Sequence, residues 1–213
     1  MKQRMIGGIT FGLVVYLCIF LNLFIIADLF FLVVGIYELI QMMKKGIKPY
    51  SIIYFIIFCL GIISMFWIAH NLESKMYILI LVSLTMLNDV FAYFIGKKIG
   101  KTHFSKTSPN KTIEGLCGGL LISLIVFLLY LILFDYRYEL TIFTKLPLLN
   151  TIVIIIITLI CSVIGDLLES KLKRLYQVKD SGTIIYGHGG ILDRVDSWIF
   201  ASIAFSICIY IVL

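Results

Sequence analysis

Residues 148–166 read LLNTIVIIIITLICSVIGD, eighteen positions without a charge and then an aspartate. A bilayer's hydrocarbon core is crossed by about 20 mostly apolar helical residues, so the run is read as a spanning helix over 148–165. Similar runs occupy about 50–69, 76–95, 115–134 and 197–213. Residues 6–43 are apolar for too long to be one span: at 1.5 Å per residue they would reach roughly 57 Å, about twice the core. Two spans with a tight turn near Asn22–Asp28 fit that length. The whole chain agrees, being 61% hydrophobic and only 14% charged, with mean hydropathy +1.07. A soluble domain carries nearer a quarter charged residues. The expected fold is all-α: a polytopic integral membrane protein of about seven transmembrane helices with cytoplasmic catalytic loops.

The five cysteines (Cys18, Cys59, Cys117, Cys161 and Cys208) stand singly in apolar runs and read as small packing residues. Without CxxC or Cys/His spacing they support neither a disulfide framework nor a zinc site. The opening Met1-Lys-Gln-Arg4 looks like the start of a signal peptide. No small-residue cleavage site follows, so it is read as a retained first span. A net charge of +6 does not make a nucleic-acid binder, because the basic residues lie in short loops, where membrane topology places them.

Seven spans with the N-terminus in the cytoplasm leave only Lys75, Arg137 and Lys145 outside, and put fifteen of the eighteen Lys and Arg residues inside. Residues 1–75 are read as N-terminal transmembrane helices. Residues 76–213 are read as a catalytic transmembrane region whose two long polar loops, 96–114 and 166–196, share the cytoplasmic face. The expected location is the cell membrane, multi-pass, with the active site facing the cytoplasm.

Those loops hold two polar clusters. In residues 88–119, NDVFAYFIGKKIGKTHFSKTSPNKTIEGLCGG, Asp89 sits at membrane depth, where an ionisable group is costly and is a functional candidate by default. Tyr93 and Gly96 fall on its helix face. Ser108, Lys111 and Thr112 offer donors suited to phosphate oxygens beside a turn fixed by Pro109, whereas Lys101 and its neighbours also fit an ordinary lysine-rich loop. Gly115 and Gly119 read as helix-packing positions. In residues 165–197, GDLLESKLKRLYQVKDSGTIIYGHGGILDRVDS, Asp166 shares a face with Glu169, Lys173 and Gln177, while Lys171 and Arg174 point elsewhere. His188 alone would be a loop histidine and the glycines alone a turn. Two aspartates and an arginine at a membrane boundary weaken both readings. Gly187, Gly189 and Gly190 allow positive φ and a close backbone approach to a ligand.

The pooled chemistry is acids (Asp89, Asp166, Asp193, Asp196) with cations (Lys101, Lys111, Lys173, Arg174, Lys179, Arg194). Carboxylates of this kind suit Mg²⁺, which uses one or two of them plus substrate phosphates. The cations suit a polyphosphate. No Ser–His–Asp spacing, Walker loop, zinc motif or G-x-G-x-x-G occurs. The residues therefore point to Mg²⁺-dependent phosphate chemistry at the cytosolic membrane face. A transporter built around Asp89 would need polar residues through the full membrane depth. The sixth and last spans are nearly pure aliphatic.

At this point a family resemblance becomes visible. The run Ser170-Lys-Leu-Lys-Arg174, then Lys179-Asp-Ser-Gly182, then His188-Gly-Gly-Ile-Leu-Asp-Arg-Val-Asp196 closely resembles the signature of phosphatidate cytidylyltransferases, the CDP-diacylglycerol synthases. Asp89, Ala92-Tyr93, Gly96-Lys97, Gly100-Lys101 and the Ser108 to Gly115 run also match that family's pattern. The resemblance covers roughly residues 88–200. Tyr186 stands where the family usually has proline, and the part before Asp89 is shorter than in typical members.

The resemblance implies CTP and phosphatidate as substrates, CDP-diacylglycerol and pyrophosphate as products, and Mg²⁺ as cofactor. It further implies Asp166 and Asp193 as metal ligands, and Lys173, Arg174, Lys179 and Arg194 as catalytic phosphate binders. Ser108, Lys111, Lys101, His188, Gly189, Gly190, Asp89 and Asp196 would line the substrate. Another lipid phosphate, ether-linked or polyprenyl, is the alternative acceptor, because tail grooves are generic apolar surface. The implied partners are the two substrates and the bilayer, without nucleic acid, and a homodimer is admissible by analogy.

Overall fold

The computed structural model describes residues 2–72, 75–103, 108, 111–135, 141–184 and 189–212. Among these there are seven α-helices: α1 (Lys2–Phe20), α2 (Phe24–Met43), α3 (Pro49–Asn71), α4 (Met76–Ile99), α5 (Ile113–Tyr130), α6 (Leu148–Leu175) and α7 (Leu192–Val212). No strand occurs among the described residues, where the extended pairing is a single bridge between His103 and Thr112. The protein is an all-α polytopic membrane protein. Six helices, α2 to α7, are long and apolar enough to cross a bilayer. In α1 the described apolar stretch, Thr10–Phe20, is shorter. The expected turn inside the 6–43 run is real: Asn22 adopts φ +61° between α1 and α2, a left-handed conformation that asparagine tolerates better than most side chains.

Charges do not end a helix, and the helices run past their apolar stretches. The backbone of α6 runs unbroken ten residues past its apolar stretch to Leu175, as the shared helix face of Asp166, Glu169 and Lys173 anticipates. At the other end α7 begins at Leu192 rather than 197. The true connection is 176–191. Likewise α4 continues to Ile99, leaving 100–112 between it and α5.

Packing centres on α7, which touches α2, α3, α4 and α6. Leu192, Ile199, Ala201, Phe205 and Ile209 on α7 are fully buried, as are Phe58 and Met65 of α3 and Ile155 and Leu159 of α6. Helices from before and after residue 75 thus share one core. Helices α6 and α7 pack tightly at Gly165, where a Cβ would lie 2.5 Å from the Asp196 carbonyl oxygen. That contact sets Asp166 beside the first turn of α7.

The pair α4/α5 is close-packed as its glycines predict. A Cβ on Gly119 would stand 2.8 Å from the Asn88 carbonyl oxygen and 2.9 Å from its Oδ1. Gly119→Ala should therefore push α4 and α5 apart and destabilise the protein by about 1–3 kcal/mol, the usual cost of overpacking. Thermal unfolding in detergent measures this, and an unchanged midpoint would refute the close approach.

Candidate active site

At one end of the bundle α4, α5, α6 and α7 enclose a cavity of about 380 Å³. Its lining draws Asn88, Asp89 and Tyr93 from α4, Ser108 and Lys111 from the connection, Asp166 and Lys173 from α6, and Asp193, Asp196 and Ser197 from α7. Residues about a hundred positions apart in sequence are brought together because the charged ends of these helices lie at the same end of the bundle.

The connection 100–112 is pinned from α5. The Thr112 hydroxyl accepts the Gly115 N–H at 3.2 Å and caps the helix. That bond makes Thr112 the cap of α5 and leaves its own O–H free to donate into the cavity it lines. Glu114 accepts the amide of Lys101 at 3.2 Å and both the amide and hydroxyl of Thr102, the latter at 2.8 Å. The backbone of Lys101 is held, but its side chain is exposed and does not line the cavity.

Within the cavity Lys111 pairs with Asp166 Oδ2, and the Ser170 hydroxyl donates to Asp166 Oδ1 at 3.3 Å. Asp89, on the cavity wall, accepts from Ser197 Oγ at 3.3 Å. Asp196 is buried and accepts the Ser197 N–H at 2.7 Å. Lys173 stands between two acids, 2.6 Å from Asp193 Oδ1 and 2.5 Å from Glu169 Oε2. Asp193 has a second duty on its other oxygen. Oδ2 accepts the amides of Ser181 and Gly190, both at 2.8 Å, and lies 2.9 Å from Ser181 Oγ. It thereby ties both arms of the 176–191 connection to the mouth of α7. Gly189 has the positive φ expected of it, +82°. With Gly190 it sits behind Asp193 rather than on the cavity wall.

Eight of the sequence-derived candidates thus line one cavity: Asp89, Ser108, Lys111, Thr112, Asp166, Lys173, Asp193 and Asp196. Six do not: Lys101, Arg174, Lys179, Gly189, Gly190 and Arg194. Arg174 and Lys179 are exposed. His188 lies outside the described residues, as do Pro109, Tyr186 and Gly187. Sequence missed Ser197, an ordinary serine in an apolar helix, and Asn88, which is fully buried with its Nδ2 3.5 Å from Ser162 Oγ.

The donor set can be weighed against a divalent ion. Among the described residues four aspartates face two lysines around the cavity, a formal excess of two negative charges that a divalent cation would offset. Among the described residues no three His, Cys, Asp or Glu side chains are grouped to hold a metal alone. That combination suits Mg²⁺, which takes one or two carboxylates and completes its shell with water and phosphate oxygens.

A many-spanning helical bundle with a cavity of aspartates and lysines at one end defines the class of polytopic membrane proteins with a polar site at the end of the bundle. Its relatives narrow the class. The sequence model of the cytidylyltransferase family matches residues 49–212, and the chain belongs to that family. The phosphatidate cytidylyltransferase of Staphylococcus haemolyticus (strain JCSC1435) is 42% identical over 144 residues, 66% of this chain and 51% of the relative. That of Staphylococcus aureus (strain COL) is 44% identical over the same shares. The Bacillus subtilis (strain 168) protein of that name is 46% identical over 116 residues, 53% of this chain and 39% of the relative. The chain spans about half the length of the first two of these relatives.

Proposed function

We propose that this chain transfers a cytidylyl group from CTP to phosphatidate, giving CDP-diacylglycerol and pyrophosphate, at the cytoplasmic face of the membrane. The observation that carries the reading is the meeting of Asp89, Lys111, Asp166, Lys173, Asp193 and Asp196 around one cavity at an end of the bundle. The names of the relatives supply the substrates, and the lysine-rich loops on that side support the orientation.

The reaction needs no protein nucleophile. An oxygen of the lipid phosphate attacks the α-phosphorus of CTP, the new P–O bond forms as the bond to the β-phosphate bridging oxygen breaks, and pyrophosphate leaves. The protein's task is to hold both phosphates in line and offset their charge. Lys111 and Lys173 are the cations placed to do so, and each already has an acid partner that keeps its ammonium in place. Asp166 and Asp193 would hold Mg²⁺, which when bound supplies positive charge against the phosphate oxygens. Asp89 and Asp196 border the same space. Arg174 and Lys179, exposed near the connection, would meet the outer phosphates of the nucleotide.

The deciding experiment incubates purified protein with radiolabelled CTP, Mg²⁺ and phosphatidic acid in mixed micelles. A cytidine-containing product soluble in organic solvent is expected. Its absence, with folded protein and both substrates present, would overturn the proposal. Parallel reactions with polyprenyl and ether-lipid phosphates test the acceptor, and faster turnover on either would displace phosphatidate.

A further inference from the structure

Residues 1–75 read in sequence only as membrane spans, yet one of their side chains reaches the connection between α6 and α7. Glu38, near the end of α2, is 2% exposed. Its Oε1 accepts the Ile191 N–H at 2.9 Å, and its Oε2 accepts the Leu192 N–H at 3.0 Å. Ser181 Oγ lies 2.9 Å from the same Oε2 and 2.9 Å from Asp193 Oδ2. That hydroxyl carries one hydrogen and serves one carboxylate at a time, so the two amides make the firm part of the attachment. The first N–H groups of a helix lack intrahelical acceptors, and a carboxylate there is favoured by the helix dipole as well.

The same stretch grips the other side of the connection. Lys45 Nζ donates to the Tyr176 carbonyl at 3.4 Å and Lys48 Nζ to that of Leu175, both at the C-terminus of α6. Tyr50 OH donates to the Leu168 carbonyl at 2.9 Å, and Tyr176 OH lies 2.8 Å from Ser51 Oγ. Residues 38–51 therefore brace both ends of the 176–191 connection. Glu38, Lys45 and Lys48 all precede the residues that the family model matches.

We propose that Glu38 is a positioning residue for the cavity. From α2 it fixes the mouth of α7, and through Ser181 it shares the fixing of Asp193, so that the matched region takes its working shape from the segment before it. Only the kinetic side of this inference rests on the cytidylyl-transfer reading. A carboxylate suits the place because its surroundings are all donors. Glu38→Gln keeps one acceptor oxygen and turns an NH₂ towards an N–H or O–H, while Glu38→Ala keeps none.

The test uses the full chain in detergent, comparing wild type, Glu38→Ala and Glu38→Gln by hydrogen exchange and by CTP-dependent turnover. In Glu38→Ala, exchange at Ile191 and Leu192 should quicken at least about tenfold, the scale of losing bonds to a charged acceptor, with peptides from α3 and α5 unchanged. Turnover should fall by about tenfold or more while KM for CTP stays within about threefold, the pattern of a displaced group rather than a lost contact. Glu38→Gln should lie between wild type and Glu38→Ala in both measurements, and decides the matter if Glu38→Ala does not fold. Unchanged exchange at 189–192 overturns the inference, as does unchanged kcat, or a uniform speeding of exchange that includes α3 and α5. If wild type transfers no cytidylyl group, the functional reading fails, and exchange at Ile191 and Leu192 still decides whether Glu38 holds the mouth of α7.

Discussion

Lys173→Met is expected to cost about 3–5 kcal/mol of stability, the range seen when one partner is removed from a buried ion pair. Methionine is close to lysine in length and would fill the same space, so the change isolates the charge. Without Lys173, Glu169, which is fully buried, loses its cation at 2.5 Å, and Asp193 loses the one at 2.6 Å. The stranded Glu169 carboxylate is the expensive part, since it has no route to water. It follows that Lys173→Met/Glu169→Gln should recover a large share of the loss. Denaturant titration of the detergent-solubilised protein measures both variants. A single variant within about 1 kcal/mol of wild type, or a double variant no better than the single, would show that the Glu169–Lys173 pair is not a buried unit. Turnover should stay low in both, because the cavity has lost one of the two lysines that line it among the described residues.

How far such a unit was readable in the chain depended on which physical signal each residue carried. Asp89 and Asp166 stood out because a charge inside or directly after an apolar run is costly enough to need a reason. The i, i+3 and i+7 spacing of Asp166, Glu169 and Lys173 already put them on one face of a helix, and the structure lines that face up with the cavity and with Asp193. The same spacing turned Arg174 away, and Arg174 is exposed. It was counted among the phosphate-binding cations for its charge and its place in the signature run, not for its helix face. The start of α7 was placed too late, at 197 instead of Leu192, because hydropathy reports where oil begins and not where hydrogen bonding begins. Glu38 could not have been found at all by such signals. One acid close to the end of an apolar helix looks like an interfacial residue, and its partners, Ser181, Ile191 and Leu192, lie more than 140 positions further on.

Asp166→Asn and Asp193→Asn should each lower turnover by roughly two to three orders of magnitude, the scale of removing a group that organises charge in a transition state, yet they should differ in everything else. Among the described residues Asp166 makes one ion pair, with Lys111, and its side chain is 24% exposed. An ion pair so open contributes about 0–1 kcal/mol, and an asparagine can still accept from Ser170. Folding and exchange at 176–191 should therefore be untouched while catalysis collapses. Asp193 cannot be changed so cleanly. Oδ2 meets three donor atoms and Oδ1 meets Lys173, so an amide turned either way presents its NH₂ to a donor. Asp193→Asn should loosen the connection as well as stop the reaction. Turnover in a labelled-CTP assay, read beside hydrogen exchange, separates the two. Near wild-type turnover for both variants would remove the shared grip on Mg²⁺ from the proposal, whereas loss in Asp193→Asn alone would reduce its aspartates to one that shapes the loop.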